Sequence, residues 1–383
     1  MSSSSAEQFL IAGVITAAPN FNQRSWIRRH YDATKPPGVQ YFFVLGNMST
    51  CKHETKPSKM KYLLHEERMR HRASFHDVAA QDCAKTAVAQ KSLAWLVDAS
   101  KSGFRWIAKL DDDSLADLRR LHRDALLVEG ARRACAKSSD VPHAYYGVMR
   151  WRSWTLPEHR NASAVKACAE AEIGCACGGQ SDAWPPGSIR THRVRQEECP
   201  DPNFGPFPFA DGSMWMISSP LAAAAAGGAL APAFARDRGW LHEDVGIGYL
   251  LLREALAQRL PLMYVALMEW VHHVRWVDVR GSELSTAEKV RPLFGGAVLG
   301  VHRVGDGWQA EMARDAFDRS WADAATDDKI VCRPCAAWEA RGNESSSAGP
   351  LRRLASAAYG CCHKARPGKA GDLAHAAESC AAA

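Results

Sequence analysis

No stretch of this 383-residue chain is apolar and long enough to cross a bilayer, which takes about twenty residues. The longest candidates, residues 9–18 and the Ala-rich residues 221–235, are too short or too weakly hydrophobic. Residues 1–5 carry no basic charge, and no convincing cleavage site follows them, so nothing reads as a secretory leader. If the protein works in the secretory pathway, its anchor or signal is missing from this chain. Internal repeats and long basic tails are also lacking. The net charge of +6 is spread out, with local clusters such as Arg68-Met69-Arg70-His71-Arg72, and no nucleic-acid motif accompanies it. No His-x-Asp or His-x-His cluster adjoins the acidic residues discussed next, which argues against a two-metal phosphoesterase.

What is abundant is cysteine. Twelve are present, several clustered: Cys168, Cys175 and Cys177, then Cys332 and Cys335, then Cys361 and Cys362. With sequons at Asn47, Asn161 and Asn343 they point to an oxidising compartment. The apolar and charged fractions are those of a globular protein with a large core.

Residues 9–16 read as a buried strand, broken by Pro19-Asn20 before a basic helical stretch from Arg24. Residues 41–45, closed by Gly46, read as a second strand. Residues 86–99 place Val88, Trp95, Leu96 and Ala99 on one helical face, and Gly103 ends that helix before the apolar residues 104–110. Strand and helix alternate as in a doubly wound α/β sheet, where ligands gather at the carboxyl ends of strands. At that position stands Asp111-Asp112-Asp113. Alternation along the chain turns Asp111 and Asp113 to one side and Asp112 to the other. Two facing carboxylates repel unless a cation joins them, and hard oxygens suit Mg²⁺ or Mn²⁺. A solvated loop or a helix N-terminus is the plain alternative.

Ser114-Leu115-Ala116-Asp117 has capping-box character and predicts a helix from Ser114 to about Gly130. Residues 161–206, rich in Cys, Gly and Pro, read as a disulfide-stapled loop or insertion. Residues 209–218 return to regular structure. Glu243-Asp244 opens a helix over residues 244–258, where the dipole keeps a carboxylate ionised, as a base requires; an N-cap is the alternative. Beyond about residue 326 the composition shifts to Ala, Ser, Gly and paired Cys, a tail or small module.

In order, these landmarks resemble glycosyltransferase family 31, the β-1,3-galactosyltransferase, N-acetylglucosaminyltransferase and fringe group. Arg24-Ser-Trp-Ile27-Arg28-Arg-His30-Tyr31 is similar to the family's Arg-x-x-Ile-Arg-x-Thr-Trp, and Phe43-Val-Leu-Gly46 to its Phe-Leu-Leu-Gly. Asp77 and Asp82 with Lys91 and Trp95 follow its acidic segment and Lys-containing helix. Lys109-Leu-Asp111-Asp112-Asp113 matches Lys-x-Asp-Asp-Asp, Phe209 to Ser218 parallels Tyr-x-x-Gly-x-x-Tyr-x-x-Ser, and Glu243-Asp244-Val245-x-x-Gly248 parallels Glu-Asp-Val-x-x-Gly. His30-Tyr31 stands in place of Thr-Trp, and residues 151–206 are longer and richer in Cys than the family pattern, which leaves the acceptor open.

The resemblance implies a GT-A-type nucleotide-sugar-binding α/β fold with a mixed central sheet flanked by helices, spanning residues 9–325 after a disordered N-terminus (residues 1–8) and before the module at 326–383. It implies an inverting, Mn²⁺- or Mg²⁺-dependent hexosyltransferase that moves galactose or N-acetylglucosamine from a UDP-sugar to a glycan, glycoprotein or glycolipid hydroxyl in the Golgi or secretory lumen, forming a β-1,3 linkage. Asp244 would be the general base and Asp113 the direct metal ligand. Asp111 would contact the ribose or the metal's water shell, with Asp112 in support. The third metal ligand would be His272 or His273. Arg24, Arg28, Lys91 and Lys109 would serve the nucleotide; Arg24, Arg28 and Lys91 equally suit structural carboxylates. The Cys332, Cys335, Cys361, Cys362 and His363 group suits zinc in spacing, whereas a lumenal family favours disulfides. A catalytically silent sugar- or nucleotide-binding protein of the same fold is the rival reading; both acidic motifs are intact.

Overall fold

The computed structural model of the chain describes residues 8–47, 57–81, 88–136, 141–158, 172–181, 203–236, 242–267, 274–278, 297–304, 307–322, 329–334 and 359–365. The chain divides into two compact units, Met1–Leu126 with His273–Thr326, and Leu127–His272 with Asp327–Ala383. The class is the expected one, α/β with mixed sheet pairing and flanking helices.

In the first unit, β1 (Leu10–Ile15) is followed by α1 (Phe21–Thr34), β2 (Val39–Asn47), α2 (Pro57–Arg70), β3 (Phe75–Gln81), α3 (Val88–Ala99), β4 (Trp106–Asp111), β5 (Ser114–Ala116) and α4 (Leu118–Ala134), whose C-terminal half belongs to the second unit. The strands β4, β1, β2 and β3 lie side by side in that order, all parallel. Every residue of β1 is buried, as a parallel strand covered on both faces requires. Gly13 is what allows one cover to sit down: a β-carbon there would lie 2.3 Å from the Trp95 indole of α3, whose Nε1 donates to the Ala108 carbonyl at 3.0 Å.

The helix expected from Ser114 starts later. Residues 114–116 are claimed by a distant strand, and Asp117 caps the helix instead, its Oδ1 accepting the Arg119 N–H at 3.0 Å. Nor does Gly130 stop it; α4 runs to Ala134, and a side chain at Gly130 would meet nothing within 4 Å.

In the second unit β6 (His143–Thr155), β7 (Cys175–Ser181), β8 (Asn203–Ser218), α5 (Ser219–Gly227), α6 (Ala231–Arg236), α7 (Glu243–Ala257) and β9 (Leu262–Ala266) follow. The strand β6 pairs antiparallel with β7 and β8 and parallel with β9. β7 lies within the segment read as a loop. The core here is aromatic: Trp154 of β6 stacks on Tyr249 of α7 with centroids 4.7 Å apart, and Phe204, Phe207 and Phe234 surround that pair.

The chain then returns to the first unit through β10 (Val274–Asp278), β11 (Ala297–His302) and α8 (Gly307–Ala322). There β11 pairs parallel with β10 and antiparallel with β5. Finally β12 (Lys329–Pro334) and β13 (Tyr359–Ala365) join the second unit, β13 running parallel to β9. Cys332 and Cys362 face each other across β12 and β13 and are disulfide-bonded, which removes both sulfurs from the zinc alternative. Cys135, Cys175 and Cys177 are disulfide-bonded as well.

α1 buries an unusual side chain. His30 is 3% exposed, packs against Phe317 of α8, and has no hydrogen-bond partner at either ring nitrogen among the described residues. Burial is the main cause that lowers its pKa to about 4; Asp117 and Asp318 oppose the fall, while Arg119 and Arg314 add to it. Unfolding releases the ring to its ordinary value, so the unfolded chain binds the extra proton between about pH 6.5 and pH 4. Acid should therefore cost the fold roughly 3 kcal/mol from this group across that window. Urea unfolding at several pH values should show His30→Phe losing less stability than wild type between pH 6.5 and 4; parallel curves would contradict the account.

Candidate metal centre

β1 and β4 are in register from Leu10 and Trp106 to Ile15 and Asp111, so the acidic run begins where the parallel strands end. Its three carboxylates meet three fates. Asp111 pairs with the fully buried Lys109 two residues earlier on the same side of β4, Nζ to Oδ1 at 2.7 Å. Asp112 turns away: its Oδ2 accepts the Thr16 hydroxyl at 2.6 Å and the Asn20 amide at 2.7 Å, which ties the end of β4 to the turn between β1 and α1. Asp113 is left. Its Oδ1 is sealed from solvent and has no hydrogen-bond partner among the described residues.

A histidine faces that oxygen. The antiparallel register of β5 with β11 sets His302 opposite Ser114, and the Val304 N–H donates to the Asp113 carbonyl at 2.8 Å. Arg303 between them takes a left-handed backbone, φ 64°, which turns the chain away just past His302. His302 Nε2 lies 3.7 Å from Asp113 Oδ1, too far for a hydrogen bond. Neighbouring ligands of one octahedral Mg²⁺-sized ion stand about 3 Å apart and opposite ones about 4 Å, given bonds near 2.1 Å. The ligand atoms of Asp111, Asp113 and His302 all lie within 4.8 Å of one another. Burial first, then the charges of Asp111 and Asp112, raise the Asp113 pKa, against the opposing charges of His302 and Lys109. A buried, partnerless carboxylate oxygen beside a second carboxylate and an imidazole fits a divalent cation, with the hard oxygens favouring Mg²⁺ or Mn²⁺.

The basic residues brace this site rather than point outward. Lys91 of α3 is buried and donates to the Thr16 carbonyl at 2.9 Å. Arg24, fully buried, donates to Thr16 Oγ1 at 3.2 Å and to the carbonyls of Ala17 and Ala18 at 2.6 and 2.9 Å. Both Arg24 and Arg28 also pair with Glu67 of α2, at 2.8 and 2.9 Å. Burial alone would raise the Glu67 pKa, but the hydrogen bonds and charges of the two guanidiniums outweigh it and hold it below the ordinary value. Of the two alternatives open for Arg24 and Arg28, these contacts are the structural one. Thr16 is thus a hub joining Asp112, Arg24 and Lys91.

Asp244 sits in the first turn of α7, in the second unit, half-exposed, its Oδ1 accepting the Val245 N–H at 2.8 Å. α7 packs on β8, and Gly248 permits it: a β-carbon there would lie 2.5 Å from that of Phe209. The two motifs around Phe209 and Glu243 therefore fold against each other. Burial first, then Tyr264 and after it the charges of Glu243 and Asp244, raise Tyr145 well above its ordinary value despite the N–H it accepts from Ala210. Asp211 pairs with Arg150 at 3.0 Å. Trp215 is fully buried in β8. His272, His273 and Asp82 lie outside the described residues.

His302 was not foreseen. Its signal is faint: an apolar strand, residues 297–302, ending on a histidine at a turn, with nothing in the spacing to link it to Asp113.

No protein-family model matches the sequence, and no curated protein matches it. Among solved structures, mouse xyloside xylosyltransferase 1 in its apo form is similar at 12% identity and a TM-score of 0.31, over 77% of this chain and 96% of that one. Mannose-1-phosphate geranyltransferase from Thermus thermophilus is similar at 10% identity and a TM-score of 0.27, over 63% and 70%. Likeness at these values assigns neither a fold family nor an activity.

Two outcomes follow from the geometry. Titration calorimetry with Mn²⁺ should find one site in the wild type, weakened in His302→Ala and Asp113→Asn by at least the roughly 10–100-fold that loss of a mere supporting partner costs; undiminished binding in both variants would remove the site. Glu67→Ala strands the Arg24 charge in the interior and should destabilise the protein by about 3–5 kcal/mol in denaturant unfolding, whereas a loss under about 1 kcal/mol would mean that the ion pair carries little.

Proposed function

We propose that the protein is a divalent-cation-dependent glycosyltransferase that takes its sugar from a nucleotide donor. The observation that carries this reading is the cluster of Asp111, Asp113 and His302 at the carboxyl ends of parallel strands, with one buried carboxylate oxygen lacking a partner among the described residues. In the finer form that the family 31 resemblance suggests, it is an inverting hexosyltransferase moving galactose or N-acetylglucosamine from a UDP-sugar to a hydroxyl of a glycan, glycoprotein or glycolipid, with a β-1,3 linkage.

In this reading Asp113 and His302 hold the cation, and Asp111, paired with Lys109, completes its surroundings or meets the ribose. A bound Mn²⁺ or Mg²⁺ would supply positive charge to the diphosphate of the donor. Asp112 does not touch substrate; through Thr16 and Asn20 it fixes the turn on which the donor would rest. Asp244 accepts the proton of the acceptor hydroxyl. Asp244 stands in the first turn of α7, where its Oδ1 accepts the Val245 N–H, a place that suits a carboxylate acting as a base.

An oxidising lumen suits the disulfides at Cys135, Cys175, Cys177 and Cys332–Cys362. Among the described residues no helix is long and apolar enough to cross a membrane.

The test separates donor binding from chemistry. UDP-sugars are screened with Mn²⁺ for release of UDP in the presence of glycan acceptors, with chelator as control. Asp244→Asn should bind the donor as the wild type does and lose transfer by about a thousandfold or more. Wild-type turnover in Asp244→Asn would overturn the base assignment. Donor binding without turnover in the wild type, across donors and acceptors, would favour the silent binder.

A further inference from the structure

Apart from Arg28, the basic cluster around Arg70 takes no part in the site described above. It lines a cleft of about 450 Å³ in the first unit, between the end of α1, the start of β2 and the turn that precedes β3. Arg28, Lys35, Arg70 and Arg72 contribute four positive charges, against one carboxylate on the wall, Asp32. Arg28 is already matched by Glu67, and Arg70 stands 3.6 Å from Glu66. Lys35 and Arg72 have no partner among the described residues, so the cleft keeps an unmatched positive field.

Asp32 narrows the ligand. Its Oδ1 accepts the Tyr41 hydroxyl at 2.7 Å, while Oδ2 has no partner among the described residues. A carboxylate amid cations repels a DNA strand, whose internal sugars have no free hydroxyl to offer it; a saccharide has many. Tyr41 is buried, so it offers no open ring face on which a nucleobase would stack. A chain carrying acidic groups and hydroxyl donors together satisfies both kinds of lining group.

We propose that this cleft binds an acidic polysaccharide, its sulfate or carboxylate groups on Lys35, Arg70 and Arg72 and a sugar hydroxyl on Asp32. The cleft is apart from the metal centre. Gln40 on its wall is in register with Ile11, whereas Asp111 is in register with Ile15, two strands across. That is about 13 Å along the sheet and about 10 Å across it. The proposal goes beyond the transferase reading and does not rest on it.

The experiment uses the full chain and a size-defined heparin oligosaccharide as probe, with neutral dextran and single-stranded DNA of equal charge as comparisons, at about 0.15 M salt. Wild type should bind heparin better than DNA and ignore dextran. The triple variant Lys35→Ser, Arg70→Ser, Arg72→Ser, all exposed positions, should lose affinity by about tenfold or more with an unchanged melting temperature. Asp32→Asn should weaken heparin binding although it makes the cleft more positive, and strengthen DNA binding. Asp113→Ala should bind heparin as the wild type does, which separates this proposal from the fate of the metal centre. Equal binding by wild type and triple variant, a preference for DNA, or tighter heparin binding by Asp32→Asn would each overturn it.

Discussion

Three consecutive carboxylates at the end of a buried strand pose an electrostatic problem on which the architecture around them depends. Left together in a partly desolvated turn they would repel one another and pull the strand end apart. The protein resolves two of them internally. Lys109 takes Asp111 from within the same strand, and Thr16 with Asn20 takes Asp112 from the neighbouring turn. The second solution does more than settle a charge, because it locks the exits of β1 and β4 to each other, and Lys91 and Arg24 lock the same Thr16 from behind. Asp113 remains, its buried oxygen unanswered by any described donor. A rigid floor with one unresolved acceptor is the physical description of a site prepared for a cation.

The partner that completes the site comes from a late strand. By pairing with β11, β5 abandons the helix that its own sequence suggests and sets His302 against Asp113. The cost is a left-handed backbone at Arg303. Supporting charges are matched between helices: Arg24 and Arg28 of α1 share Glu67 of α2, so these two guanidiniums are buried as ion pairs.

How much of this was legible depended on whether the determining contact was local. β1, β2 and β4 were legible because a parallel strand covered on both faces is mostly apolar: residues 10–15 and 41–45 are so throughout, and residues 106–110 are broken only by Lys109, whose charge is spent on Asp111. α3 and α7 declared themselves by their apolar face and by their acidic first turn. The Asp111 and Asp113 pair was legible from alternation alone. The start of α4 was misread because Ser114-Leu115-Ala116 satisfies a capping pattern, and only the distant β11 shows that those residues pair as a strand. His302 was missed for the same reason. Glu67, with which Arg24 and Arg28 pair, lies on a helix with little amphipathic pattern, so that contact could not be read from the sequence.

The central claim is that Asp113 and His302 jointly hold a divalent cation. Crystals grown with Mn²⁺ and UDP, with diffraction recorded at the manganese absorption edge, test it most directly. The account predicts an anomalous peak bonded to Asp113 and His302, with the diphosphate on its open side. A peak bonded to other residues, or none at full Mn²⁺ saturation, would contradict it.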